Sequence, residues 1–447
     1  MAFVLAAAWL APALAADEQK DVASFLGLRE IDQSHRSVLE ASTEWADAEP
    51  TVVKVIRRLD APDAVVAGWQ ATAARAPAKG AAVTVSDTLM LIRGRATFVA
   101  PMVPPADLAE LLDSPHYDVV RMVDEGGLAV DVVTLAAPAA WPRWKPIDEP
   151  AAALVLPLST AAFPTPEPAP ADGEPWPAGP PGLVAAAAHV AWYPDTPLGK
   201  LGMDYALFDS VVDGKKLVAG DTAAFFAMLA AAGRTSRKEV AAAAGKPIDA
   251  ILLIDPGRDW FPSHRGDPVI IEGAALRAIR VPIDEPFSRK VVGSDHYWEV
   301  FVFVETPLLE INGHIQQSYP IVCCMRELPK GMASGERISE RVQIAGFALK
   351  RYAYPFDDTR PDEAGHATDV PSRRVTSLLI GPEPTWFPPA PKDAAQPIWI
   401  IAAVAAVVAL AAIVVVGFLY GNRSIDMTIR KAREELPDRV ELPNDDG

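Results

Sequence analysis

The sequence predicts a mainly β chain with helical additions (α+β): two tandem small β-barrel repeats, each preceded by helices, and one C-terminal transmembrane helix. Three observations carry that expectation. Residues 398–420 are one apolar run without charge or proline. Residues 83–197 and 268–389 share a series of short motifs at slowly rising separation. Within each copy the apolar residues gather into about five runs rich in Val, Ile, Phe and Tyr and bounded by Pro, Gly and Asp, which is the chemistry of short strands and turns.

The chain opens with MAFVLAAAWLAPALAADEQK, an apolar stretch, then the small-residue pattern Ala13-Leu14-Ala15, then Ala16 and the first charge at Asp17. That is the form of a secretory signal peptide over 1–16, although no Lys or Arg precedes the apolar stretch. Residues 17–82 are expected to be helical. Over 49–59, Pro50 stands near the start, and Val52, Val53, Ile56 and Leu59 recur at helical spacing.

The repeat is read from ordered matches. Leu91-Ile92-Arg93-Gly94 lies on Ile270-Ile271-Glu272-Gly273 at a separation of 179, and HYDVVRMVDE from His116 lies on HYWEVFVFVE from His296 at 180. Pro138 and Glu149 meet Pro329 and Glu340 at 191, and Trp192-Tyr193-Pro194 meets Trp386-Phe387-Pro388 at 194. Separations that only rise, by small insertions, are what a duplicated domain gives. Gly273 and Gly346 fall inside strand patterns, where glycine marks a bulge or a sharp coil. Five short bent strands fit a small closed barrel of the OB type.

Between the copies, residues 198–267 predict helices. Asp221 is placed to cap TAAFFAMLAAA, with Phe225, Phe226, Met228 and Leu229 inside and Gly233 as the stop, and a second short helix is expected between Arg234 and Gly245. Both copies carry a long insertion before the fifth strand. Residues 164–182 hold eight prolines in nineteen residues, which keeps them out of a sheet, and residues 355–374 are rich in charge. A Pro-rich stalk over 390–397 leads to residues 398–420, long enough as a helix to cross a hydrocarbon core of about 30 Å, with Trp399 and Tyr420 near its ends. The tail 421–447 holds Arg423, Arg430, Lys431, Arg433 and Arg439, whereas Lys392 alone precedes the run closely. Positive flanks stay inside, so the expected location is the cell membrane, with a single pass, the N-terminus outside and the tail cytoplasmic.

Composition narrows the function. The exported part, 17–397, has 36 bases and 51 acids, which disfavours nucleic acid as a partner because counterion release needs clustered Lys and Arg. GxSxG, HExxH, CxxC, Walker and GxGxxG motifs are absent, and the seven histidines show no metal-ligand spacing. No cofactor, metal or catalytic residue is expected. Cys323 and Cys324 are neighbours on a strand, matched by Val132 and Val133, and read as two reduced thiols facing opposite ways.

The reading is a membrane-anchored extracytoplasmic binding or assembly module for other envelope proteins. An exported hydrolase or glycan-active enzyme with a dispersed site is the first alternative. An accessory subunit of a transport or signalling complex acting through its tail is the second. The candidate partner-binding residues are Tyr297, Trp298, Phe301 and Phe303, aromatic where the first copy has Tyr117, Asp118, Arg121 and Val123. Alternation allows only one of Trp298 and Phe301 to face inward.

Overall fold

Helix formation at the N-terminus follows from caps and apolar stripes. Helices α1 (Val22–Leu28), α2 (Gln33–Ala41), α3 (Trp45–Arg58) and α4 (Asp63–Thr72) begin the chain. The Asp32 carboxylate accepts from the N–H groups of Ser34 and His35 and so satisfies the free start of α2. α3 starts at Trp45, earlier than Pro50 suggests, and carries the proline inside the helix. Trp45 explains the longer helix. Its indole donates to the Tyr117 hydroxyl at 3.2 Å, and that hydroxyl donates to the buried Glu49 carboxylate at 2.7 Å. This bridge ties the first turns of α3 to the sheet beneath. Phe25 and Trp69 meet edge to face at 4.9 Å and join α1 to α4. The computed structural model describes residues 22–28, 30–76, 88–112, 114–166, 170–255, 258, 260–311, 314–356, 372–389, 402–418 and 420.

The chain is a mixed α/β structure with two β-sheets, one of seven strands and one of six. The first sheet comprises β1 (Ala74–Arg75), β2 (Met90–Met102), β3 (Tyr117–Asp124), β4 (Ala129–Thr134), β5 (Pro146–Ser159), β6 (Leu183–Ala187) and β7 (Ala191–Trp192), with α5 (Ala106–Leu112) between β2 and β3. The order is β1-β2-β3-β4-β6-β5-β7, and β2 also pairs with β5, so the hydrogen-bonded circuit β2-β3-β4-β6-β5 returns to its start. Only β4–β6 is parallel within that circuit. One face of the strands holds Ile92, Val120, Met122, Val132 and Val155 in an inner cluster. The other face gives Val119, Val133 and Ala186 to Val52 and Ile56 of α3.

A helical layer follows: α6 (Pro197–Lys200), 3₁₀ turns at Tyr205–Ser210 and Ala219–Asp221, α7 (Thr222–Ala232), α8 (Arg237–Ala244), α9 (Ala250–Ile254) and α10 (Phe261–His264). The second sheet then comprises β8 (Pro268–Pro282), β9 (His296–Ile311), β10 (His314–Met325), β11 (Glu340–Phe356), β12 (Ser372–Gly381) and β13 (Thr385–Phe387), with α11 (Pro286–Val292) between β8 and β9. Its order is β12-β10-β9-β8-β11-β13, and the added β11–β12 pairing again closes a circuit of five strands. The β10–β12 pair is parallel, as β4–β6 is. Cys323 and Cys324 are free and buried, one in the inner cluster and one in the cluster shared with α7.

The registers of the two sheets correspond residue by residue. Ala96 pairs with Met122 and Ala275 with Val302, and Val132 pairs with Ala185 as Cys323 does with Leu379. The first strand of each circuit shifts register between Ala96 and Phe98, and between Ala275 and Arg277. The fourth shifts between Pro157 and Ser159, and between Ala348 and Lys350. A Cβ on Gly94 would lie 2.0 Å from the Val123 carbonyl oxygen, and one on Gly273 would lie 2.3 Å from that of Phe303. No side chain fits at either place. The indole of Trp192 donates to Glu149 at 2.8 Å, and that of Trp386 donates to Glu340 at 2.7 Å. The rise in separation from 180 to 191 falls where β9 and β10 run on beyond the length of β3 and β4.

One expectation needs correction. Asp221 makes no side-chain cap on α7. Its carboxylate instead accepts from the N–H groups of Val212 and Val218 and pairs with the Lys350 ammonium at 2.6 Å, both side chains being fully buried. The described part of the Pro-rich insertion stays out of the sheet up to Gly182, and its Trp176 meets Phe98 edge to face at 5.5 Å and lies under the Arg121 guanidinium.

Beyond residue 388 the chain forms a separate unit. Within it residues 402–418 are helical, and every side chain on them is exposed. Among the described residues no helix is long and apolar enough to cross a membrane, so the span expected at 398–420 is not established by the part seen. The signal stretch 1–16, the stalk 390–397, the residues 357–371 of the second insertion and the tail 421–447 lie outside the described residues.

The buried pair gives the first prediction. Asp221→Ala leaves a charged amine buried alone and should lower the unfolding free energy by about 3–5 kcal/mol, whereas Asp221→Leu with Lys350→Met should lose less. Burial works against the Asp221 carboxylate, but the Lys350 ammonium and the two backbone N–H groups outweigh it and hold the pKa below the ordinary range. The stabilisation is therefore present at neutral pH and is lost as pH falls through that lowered value. Urea midpoints of wild type and Asp221→Ala should converge in acid. A constant gap would exclude the pair as their cause.

Candidate functional site

The aromatic residues singled out in the sequence divide between two faces of β9. Trp298 packs against the inner cluster of the second circuit, with its ring 6.0 Å from that of His296. Tyr297 and Phe301 face the other way, toward the cluster built with α7: Tyr297 meets Phe225 edge to face at 5.3 Å, and the Arg277 guanidinium lies 5.0 Å over Phe301. Burial, and next the neighbouring Cys324, push the Tyr297 phenol well above its usual range. Phe303 is half-buried on the same face, across from Ala274 and Pro320. Three of the four rings thus take part in packing within the chain, and the structure does not bring the four together as one surface.

The side chains Asp295, His296, Glu299 and Glu340, which could supply acid–base groups to a dispersed site, do not converge either. Asp295 holds the His296 ring nitrogen at 2.6 Å and Arg280 at 3.0 Å, Glu299 pairs with Arg277 at 3.2 Å, and Glu340 accepts from Trp386. His116 and His296 share one local arrangement, in which the hydroxyl of Ser114 or Ser294 donates to the histidine carbonyl.

A cleft of about 670 Å³ lies elsewhere, beside the first circuit. One wall is Leu59, Ala61, Val66 and Trp69 from the end of α3 and from α4; the opposite wall is Leu91, Arg93 and Gly94 of β2 with Pro150–Leu154 numbered 150–154 on β5. Residues 188–193 and α6 supply His189, Tyr193 and Lys200. The lining is mixed: apolar side chains of Leu59, Val66, Trp69 and Leu91 alternate with the charged groups Arg93, Lys200, His189, Asp60 and Glu125. His189 faces Asp204 at 3.4 Å, and Lys200 is paired with Asp195 at 2.7 Å. Burial, then the Asp204 carboxylate, raise the Tyr193 pKa, while Arg93 works against the rise. The phenol therefore stays protonated, a donor beside a guanidinium.

The second copy explains why the cleft is open. At the matching surface Gln343 donates to Glu272 at 2.7 Å, a side-chain bridge across the paired strands β8 and β11. The matching residues of the first copy are Ala152 and Arg93, directly paired across β2 and β5. Ala152 has no side chain to reach Arg93. Ala151 and Ala153, where the second copy has Val342 and Ile344, face the inner cluster instead, so Ala152 alone of the three turns its side chain to the cleft face. The run of three alanines was the available sequence signal, but it reads as strand filler until the helices are placed over it. Neither a known family nor a curated protein matches the chain.

If alanine opens the cleft, Ala152→Gln should narrow it at a modest cost in stability, within about 1 kcal/mol for a half-buried position on a strand paired along both edges. Maleimide labelling of Leu91→Cys reports the change, since both native thiols are buried. Labelling should slow several-fold in the Ala152→Gln background. An unchanged rate would mean that residue 152 does not control access.

Proposed function

We propose that the protein is a membrane-anchored extracytoplasmic binding module, built on two five-stranded barrels of the OB type, that docks a segment of another envelope protein in the cleft of its first copy. The observation that carries this reading is the cleft itself: a mixed lining in which Leu59, Val66, Trp69 and Leu91 accompany the Arg93 guanidinium and the protonated Tyr193 phenol. Such a lining suits a segment that carries both an apolar side chain and a carboxylate, since placed polar groups orient a ligand beside the apolar side chains. The closed pairing circuits support the barrel assignment, because full closure removes exposed strand edges. The apolar, fully exposed helix over 402–418 and the basic residues after it support the anchor and its orientation.

The docking claim is tested by photo-crosslinking in membranes. A diazirine residue in place of Leu91 in the full chain should give a discrete adduct, lost with Arg93→Glu, while the same probe at Val103, 70% exposed, should not. Equal adducts from both positions, or none from Leu91, would overturn the cleft as the docking place. The topology is tested separately: protease added to spheroplasts should digest the large unit and spare the tail. A protected large unit would reverse the orientation.

A further inference from the structure

A second cavity, of about 460 Å³, lies on the other copy, where the end of β10 meets the turn between α7 and α8. Its lining includes Arg326, Arg237, Lys238, Gly233, Glu327 and Glu383. Backbone pairing fixes the base of Arg326, whose N–H donates to the Gly381 carbonyl at 3.0 Å. From there the side chain reaches Gly233, where an added Cβ would stand 2.9 Å from its Nε. Glycine is what lets the guanidinium lie there. Its Nε and Nη1 are buried and make no hydrogen bond to a described residue. Buried guanidinium nitrogens without acceptors are costly, and such a group calls for a reason.

The rim does not supply that reason. Glu383 is occupied by Arg237, which also donates to the Pro384 carbonyl at 3.4 Å. Glu327 is exposed and acts on Arg326 only through space. The Glu239 carboxylate is taken up by Thr235 and Ser236. Lys238 is exposed and adds a second positive charge at the mouth. The first copy has Leu135 at the place of Arg326, so the feature belongs to one copy alone.

We propose that this cavity binds a small oxyanion, a phosphate or carboxylate group, on the Arg326 guanidinium, with Lys238 at the mouth. The inference is independent of the docking cleft, which lies on the other copy. Inorganic phosphate and citrate are titrated into the full-length protein at constant ionic strength, with chloride as the balancing salt. At least one should raise the melting temperature saturably, and Arg326→Gln should weaken that ligand at least tenfold, while Lys238→Gln weakens it less. No saturable shift with either anion, or equal shifts in wild type and Arg326→Gln, would overturn the site. If Arg326→Gln fails to fold, Arg326→Lys is used. A lower melting temperature in Arg326→Lys with unchanged anion affinity would make the guanidinium a cap on the end of α7, and the proposal would fall.

Discussion

Each sheet depends on one strand that is hydrogen-bonded along both edges while it bends. β2 serves β3 and β5 together, and β8 serves β9 and β11. A straight strand could not hold both neighbours around a closed circuit of five. The bend comes from a register shift at one place, Ala96 to Phe98 and Ala275 to Arg277, and from a glycine two residues earlier that lets the next strand's carbonyl come close. Side chains inward of that bend fill the inner cluster, and those outward form a floor for helices. The clefts and caps are consequences of how each copy covers the floor.

That constraint is also why so much of the fold was legible. A glycine that no side chain can replace, and a glutamate that receives a tryptophan indole, are fixed by geometry rather than by composition, so they stand out in the same order in two divergent copies. Gly94 with Gly273, and Glu149 and Trp192 with Glu340 and Trp386, are of this kind. The helices α5 and α11 were missed because each is seven residues long and has too few turns to show a stripe. The role of Asp221 was misread because a carboxylate at a helix start has a local explanation, and its true partner lies far away at Lys350. The cleft was invisible for a different reason. Alanines in a strand carry no pattern, and the opposite wall comes from helices whose placement over the strand is tertiary.

The two copies differ most in how charge and aromatic character are exchanged across equivalent positions. In the first, Phe98 stands on the bent strand and Arg121 on its neighbour; in the second, Arg277 and Phe301 occupy those positions in reverse. The cation follows its carboxylate. Arg121 is held by Asp131 on the next strand, and Arg277 by Glu299 on its own neighbour. In the first copy the ring over the guanidinium is Trp176, brought in by the Pro-rich insertion, and this gives that segment a packing role. In the second the ring is Phe301 itself, which is why an aromatic strand there reads as a binding surface in the sequence and is in large part internal.

The fourth-strand bulge shows how one scaffold position can take on two tasks. In the first copy Ser159 directly follows the unpaired Leu158, and its hydroxyl accepts from the N–H groups of Ala161 and Ala162, turning the chain into the insertion. In the second the same position is Lys350, whose ammonium crosses to Asp221 in the helical layer. The unpaired residue, Leu158 or Leu349, shifts the alternation by one, so the side chain that follows it is aimed off the regular pattern. A serine there can serve only its own chain turn, whereas a lysine reaches a neighbouring layer. A buried ion pair adds little net stability over an apolar pair of equal volume, but it rejects every arrangement in which the two charges fail to meet. The pair between Asp221 and Lys350 therefore acts on placement: it selects one seat for the α7 layer on the second circuit, and Gly233, at the far end of that helix, is carried to its contact with Arg326.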